Sequence, residues 1–198
     1  APTRSLLDDG SGSGQSAVDI WAVLPVTYDR SVGLIREARK KGNEIWSYNA
    51  LVQDSYSPKW LIDFSPINFR IQPGFLSQAL TLTGLLYWRV DLWGPDPWNV
   101  ANTARFSEFP GEGMLVYPGT DVGIGGVAPS MRLKWLRDGV EDYEYVQMLK
   151  HLGQGPKAAA KVAAVARDWR EWTKDPAALE QARRELGDLL SQMKSPPR

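Results

Sequence analysis

Three short apolar runs, kept apart by connections too long for hairpin turns, constrain the fold of this chain most. Val18 to Pro25, Glu44 to Asn49 and Leu85 to Leu92 read as strands. Between the first two, Val32, Leu34, Ile35 and Ala38 recur at near-helical spacing within Ser31 to Lys41, and Gly42 offers a stop. Between the second and third lies an irregular segment, Val52 to Asn68, broken by Pro58 and Pro66, with a short helical turn expected near Trp60. A helix around Phe69 to Leu82 then leads through Gly84 into the third run. Connections of this length are crossovers, and crossovers join parallel strands. The near-continuous apolar character of the runs fits a sheet covered on both faces. The expected unit is therefore βαβαβ.

The remainder of the chain changes character. Met114 to Tyr117 is a short strand between glycine turns, and Thr120 to Ala128 is expected as a flexible, glycine-rich connection. Ser130 can cap a helix to about Leu152, with Met131, Trp135, Leu136, Val140, Tyr143 and Met148 near one side. Lys157 to Thr173 is alanine-rich and expected as helix, and Asp175-Pro176 marks the start of another. That last helix sets Leu179, Ala182, Leu186, Leu189 and Met193 on one face. The opening segment is rich in Gly, Ser and Asp, and the Ser-Pro-Pro-Arg tail is expected to fray. The expected division is a flexible linker over 1–16, an α/β unit with a terminal hairpin over 17–128, and a helical region over 129–194.

Composition excludes several function classes. Lys plus Arg equals Asp plus Glu at 23 each, so no global field attracts nucleic acid or an anionic membrane. No apolar run approaches the roughly 20 residues that span a bilayer, and no signal-like segment opens the sequence. Cysteine is absent, which removes thiolate metal sites and a Cys nucleophile together. His151 is the only histidine; beside Lys150 at a helix end it reads as a surface or capping residue. Gly123-Ile124-Gly125-Gly126 lacks the strand-to-helix setting of a nucleotide loop. No cofactor and no metal are expected. Asp138, Glu141, Asp142 and Glu144 share a helix with Arg132, Lys134 and Arg137, so ion pairs explain them. Glu112, between two glycines, reads as an ordinary polar turn residue.

What remains is an aromatic excess, nine tryptophans, most of them expected in the core and a minority placed where they can line a sugar site. Flat rings cover the apolar faces of a pyranose, and carboxylates or amides bind its hydroxyls. If the strands are parallel, the tips at Leu24-Pro25 with Tyr28, at Tyr48-Asn49, and at Asp91 with Trp93 and Trp98 open on one mouth. Trp46, Tyr48, Tyr87, Trp88, Asp91 and Trp93 are the candidate sugar-binding wall. Core packing competes for Trp46 and Trp88, and a salt bridge to Arg89 competes for Asp91.

The stretch from Gly84 to Tyr145 also carries a resemblance. Gly111-Glu112-Gly113 with Tyr117-Pro118-Gly119, then Pro129-Ser130 running into Leu136-Arg137-Asp138-Gly139 and Glu141-Asp142-Tyr143-Glu144-Tyr145, resemble the C-terminal region of glycoside hydrolase family 123-like proteins. This is the family of β-N-acetylgalactosaminidases, with many bacterial members of unknown function, and the resemblance covers Val18 to Leu149. It implies that the three strands are the last of a (β/α)8, TIM-like barrel. Such a barrel takes about 250 residues, so a partial barrel followed by a helical region is expected. It further implies substrate-assisted hydrolysis, in which the 2-acetamido oxygen attacks the anomeric carbon and an Asp-Glu pair on an earlier strand assists. This chain contains no adjacent Asp-Glu; Glu141-Asp142 is the reverse order. The expected function is the C-terminal part of a glycoside-hydrolase-like protein acting on N-acetylhexosamine-containing glycans, without that pair. A non-catalytic carbohydrate-binding module and a structural or assembly domain are the alternatives. Carbohydrate is the expected partner, with self-association or an N-terminal portion of the same protein as a second one. The resemblance favours a periplasmic or extracellular location.

Overall fold

In the computed structural model, which describes residues 2–99 and 108–194, the three apolar runs form one parallel sheet. Its order is β1 (Ile20–Val23), β2 (Glu44–Asn49), β3 (Gly84–Tyr87). Ile20 pairs with Glu44 through to Val23 with Ser47, and Trp46 pairs with Gly84 through to Asn49 with Tyr87. The strands are shorter than the apolar runs that announce them. Pro25 ends the first because its fixed φ suits the first position of a helix, here α1 (Pro25–Arg30). Helix α2 (Val32–Lys40) follows and buries Ile35 and Ala38.

The second crossover contains α3 (Ile67–Ile71), a π-helical stretch Gln72–Leu76 and α4 (Ser77–Ala79). Pro73 cannot donate and Gly74 is non-helical (φ −88°, ψ −105°), which accounts for the widened turn. No helix forms at Trp60; its ring is buried instead, against Phe69 and Tyr87.

Beyond β3, the short antiparallel pair β4 (Val116–Pro118) and β5 (Val127–Pro129) replaces the expected flexible connection. A 3-10 turn at Gly119–Val122 joins them. The Ser130 side chain caps α5 (Met131–His151) by accepting from the Leu133 amide. Helices α6 (Gly155–Val165) and α7 (Pro176–Lys194) complete the layer.

Two expectations fail here for identifiable reasons. Helix α6 stops at Val165 rather than Thr173: Ala166 turns extended and the Asp168 carboxylate binds the amides of Arg170 and Glu171, a turn that leaves Trp169 fully buried. The buried stripe of α5 is Leu136, Gly139, Asp142, Val146 and Leu149, whereas Met131, Val140 and Met148 are exposed.

The opening residues also differ from a linker. A 3-10 turn at Arg4–Leu6 precedes Leu7, which is buried in the main core, and the Ala17 amide returns to the Leu6 carbonyl. Asp9 organises the intervening loop by accepting from Ser11 and Ser13. The tail expected to fray, residues 195–198, lies outside the described residues.

Helices pack on one face of the sheet. Trp21, Val23 and Ile45 join Ile35, Phe75, Val146 and Leu186 in the main core. Burial alternates along β1 and β2, so Ile20 and Ala22 lie on the other, uncovered face. Leu86 of β3, paired with Tyr48, is exposed there too.

Candidate functional site

The turn Gly111-Glu112-Gly113 builds the centre of the site. Both glycines have positive φ, +80° and +71°, which side chains of L-residues rarely tolerate. A Cβ at Gly111 would also overlap the Ile62 side chain. This tight turn leaves Glu112 only 2% exposed. The Trp88 indole N–H donates to Glu112 Oε1 at 2.7 Å, while Oε2 accepts no hydrogen bond from the described residues.

Burial pushes the Glu112 carboxyl above its ordinary range; the Trp88 bond and the nearby Leu51 amide, which does not reach hydrogen-bonding geometry, pull the other way. Leu51 itself sits at φ +56°, an uncommon conformation for a non-glycine residue, two positions past the end of β2. Strained backbone beside a half-satisfied buried carboxylate is a pattern concentrated at functional sites.

Two tyrosines share this environment. Burial first, and the Glu112 charge second, raise the hydroxyls of both Tyr48 and Tyr87. The Tyr87 hydroxyl accepts from the Gly113 amide at 2.7 Å, tying the end of β3 to the turn. Beyond β3 the chain runs back along this turn: Asp91 bridges Met114 in antiparallel fashion, and the Leu92 amide donates to the Gly113 carbonyl at 2.9 Å.

The structure therefore gathers Tyr48, Tyr87 and Trp88 around Glu112, with Asp91 beside them along the backbone. Tyr87 is on the helix-covered side, its ring edge-on to Trp60 at 5.1 Å. Trp46 is lower on the sheet, lying over Gly84, where a Cβ would come 2.5 Å from its indole. Its N–H donates to Glu44 Oε2 at 2.9 Å, an acceptor shared with Thr83. The Asp91 carboxylate accepts from Arg89 at 2.8 Å, which holds it below the usual carboxylate range. Trp93 is half-buried in a turn closed by its amide on the Asp91 carbonyl.

Glu112 is the residue that a turn reading misses. The signal available in the sequence is its position between two glycines directly before the apolar run Met114 to Val116. The acidic run on α5 is structural. Asp142 is fully buried between Arg70 (2.7 Å) and Arg183 (3.0 Å), and Glu141 pairs with Arg183 at 2.6 Å. His151 is the last residue of α5 and exposed. Among the described residues no group of three or more His, Asp or Glu could hold a metal ion, and no helix is long and apolar enough to cross a membrane.

Comparisons with known proteins bear on the family and the fold. The model of the glycoside hydrolase 123 catalytic domain matches residues 15–149. A family 123 glycoside hydrolase from Clostridium perfringens, whose structure was analysed for glycolipid glycan hydrolysis, shares the fold with a TM-score of 0.67 at 16% identity. The match covers 88% of this chain and 33% of that one, so the chain spans about a third of its length. No curated protein matches the chain. With a family match over well over half of its residues, the chain belongs to the glycoside hydrolase 123 family.

Proposed function

We propose that this chain supplies the sugar-binding wall of a glycosidase acting on N-acetylhexosamine-containing glycans. The buried carboxylate of Glu112, half-satisfied by Trp88 beside the ends of the parallel strands β2 and β3, carries this reading. In barrels of parallel strands, ligands meet the C-terminal ends. Tyr48, Trp88 and Trp93 offer ring faces there; Asp91 offers a hydroxyl acceptor; Tyr87 braces the turn. Trp46 lines the sheet below them. The three strands are then one sector of a (β/α)8 barrel: the uncovered sheet face with Ile20 and Leu86 lines its interior, and further strands add at the free edges of β1 and β3.

The adjacent Asp-Glu pair of substrate-assisted hydrolysis does not occur in this sequence. The chain's contribution is accordingly binding and orientation, not proton transfer. A chromogenic β-N-acetylgalactosaminide should undergo no turnover. Calorimetric titration with N-acetylgalactosamine should give millimolar or tighter binding that weakens in Trp88→Ala and Asp91→Ala. Clear turnover contradicts the missing acids, and no heat with N-acetylgalactosamine or galactose contradicts the sugar site.

A second reading, an assembly domain, draws on the same uncovered sheet face. Ile20 and Leu86 are each more than 40% exposed. Apolar surface of this kind suits self-association or docking to an N-terminal portion of the same protein. Analytical ultracentrifugation at rising concentration tests it, with a monomer throughout as the contrary result for self-association.

A further inference from the structure

We propose that Trp98, stacked on Tyr117, is a second carbohydrate platform, which takes a neighbouring sugar unit of the glycan held at the proposed wall of Tyr48, Trp88 and Asp91. It rests on that wall only for the identity of the glycan. Its own support lies in the loop leaving β3 and in the β4–β5 hairpin.

Trp98 is 50% exposed, although burying an indole is strongly favoured. Its inner face stacks on Tyr117 with centroids 4.5 Å apart and planes 15° from parallel. Its N–H donates to Asp121 Oδ2 at 2.8 Å, in the turn that joins β4 to β5. Tyr117 is held in turn, since its hydroxyl accepts from Arg132 at 3.1 Å and the guanidinium lies 5.8 Å from its ring centroid. An indole fixed by a stack and a hydrogen bond has already lost its rotational freedom. A ligand laid on its outer face therefore meets a preorganised surface.

The chemistry of that surface selects a sugar. The outer indole face is flat and apolar, matching the C–H face of a pyranose. Asp121 is exposed at the ring edge, and its Oδ1, 3.3 Å from Thr120 Oγ1, can accept from a sugar hydroxyl. Trp98 and Trp88 both lie on the chain leaving β3, which suits one glycan spanning both positions.

Calorimetric titration of wild type, Trp98→Ala, Trp98→Phe and Trp88→Ala with N-acetylgalactosamine, and with a tetrasaccharide ending in that sugar, tests the platform. Trp98→Ala should weaken the tetrasaccharide about tenfold and leave the monosaccharide within about twofold. Trp98→Phe keeps the stack but loses the Asp121 bond, so it should fall between, and it serves if the alanine variant melts early. An unchanged tetrasaccharide affinity in Trp98→Ala, or no tetrasaccharide binding by wild type, overturns the platform. Trp98-dependent tetrasaccharide binding without monosaccharide binding keeps the platform and contradicts the wall around Trp88 instead.

Discussion

Trp88 and Glu112, one just past β3 and the other in the turn before β4, are joined by a single hydrogen bond of 2.7 Å. The bond satisfies one oxygen of a carboxylate that burial has otherwise stripped of water. Replacing Trp88 with Phe keeps most of the ring and removes the donor. A buried acceptor left unmade costs about 1–3 kcal/mol. Urea unfolding of Trp88→Phe at neutral pH should show a loss in that range. A loss below about 0.5 kcal/mol would mean that solvent reaches the carboxylate after all.

Glu112 makes a pH-dependent contribution whose sign follows from its raised carboxyl. The folded state holds its proton to a higher pH than the unfolded chain does. Between the two pKa values the folded protein binds more protons, so stability falls as pH rises through that window. The penalty is complete above the folded value and absent below the unfolded one. Glu112→Gln removes the charge and should melt higher than wild type at neutral pH. The difference should shrink as pH drops through the folded pKa. Melting curves of both proteins across mildly acid to neutral pH check this; a gap that widens towards acid would reverse the assigned sign.

The charged cluster between α3, α5 and α7 should behave differently. Asp142→Ala strands Arg70 and Arg183 on partners at the rim, Glu180 and Glu141. Breaking a buried pair by deleting one member costs about 3–5 kcal/mol. Denaturant titration should find a loss of that order, with sugar affinity unchanged once the protein is folded. Loss of sugar binding in a folded Asp142→Ala protein would move the acidic run of α5 into the site.

Gly139 marks the closest approach of α5 to the π-helical stretch. A Cβ there would overlap the Arg70 carbonyl and come 2.6 Å from Pro73 Cγ. Helix propensity favours Ala over Gly by about 1 kcal/mol, whereas overpacking a tight contact costs about 1–3 kcal/mol. The clash involves backbone and a proline ring, neither of which yields easily, so Gly139→Ala should destabilise. A higher melting temperature in this variant would show that the two segments can separate without cost.

The sheet was legible in the sequence because crossover length and apolar runs are backbone-scale signals. The buried face of α5 was not. Gly139 is interior because a neighbouring carbonyl needs the space, and Asp142 because two guanidiniums meet it. Apolar periodicity sees neither, so it chose Met131, Val140 and Met148, which face solvent. Leu7 was hidden for a similar reason: one apolar anchor among Gly, Ser and Asp is enough to fold back an opening segment that composition describes as linker. Glu112 looked like a turn residue because two glycines flank it. The same glycines allow the chain to turn tightly enough to bury it. The family resemblance is matched over residues 15–149, and within that range Glu112 stands out by its burial between two glycines.

Indole resonances offer the most direct test of a sugar at the proposed wall around Trp88. Nine tryptophans give a small set of N–H signals, and the Trp88 signal can be assigned from its loss in Trp88→Phe. On titration with N-acetylgalactosamine, the Trp88 resonance should shift most, while those of the buried Trp60 and Trp169 stay in place. A spectrum in which Trp88 remains unmoved at saturating sugar, or in which no indole responds, would contradict the account.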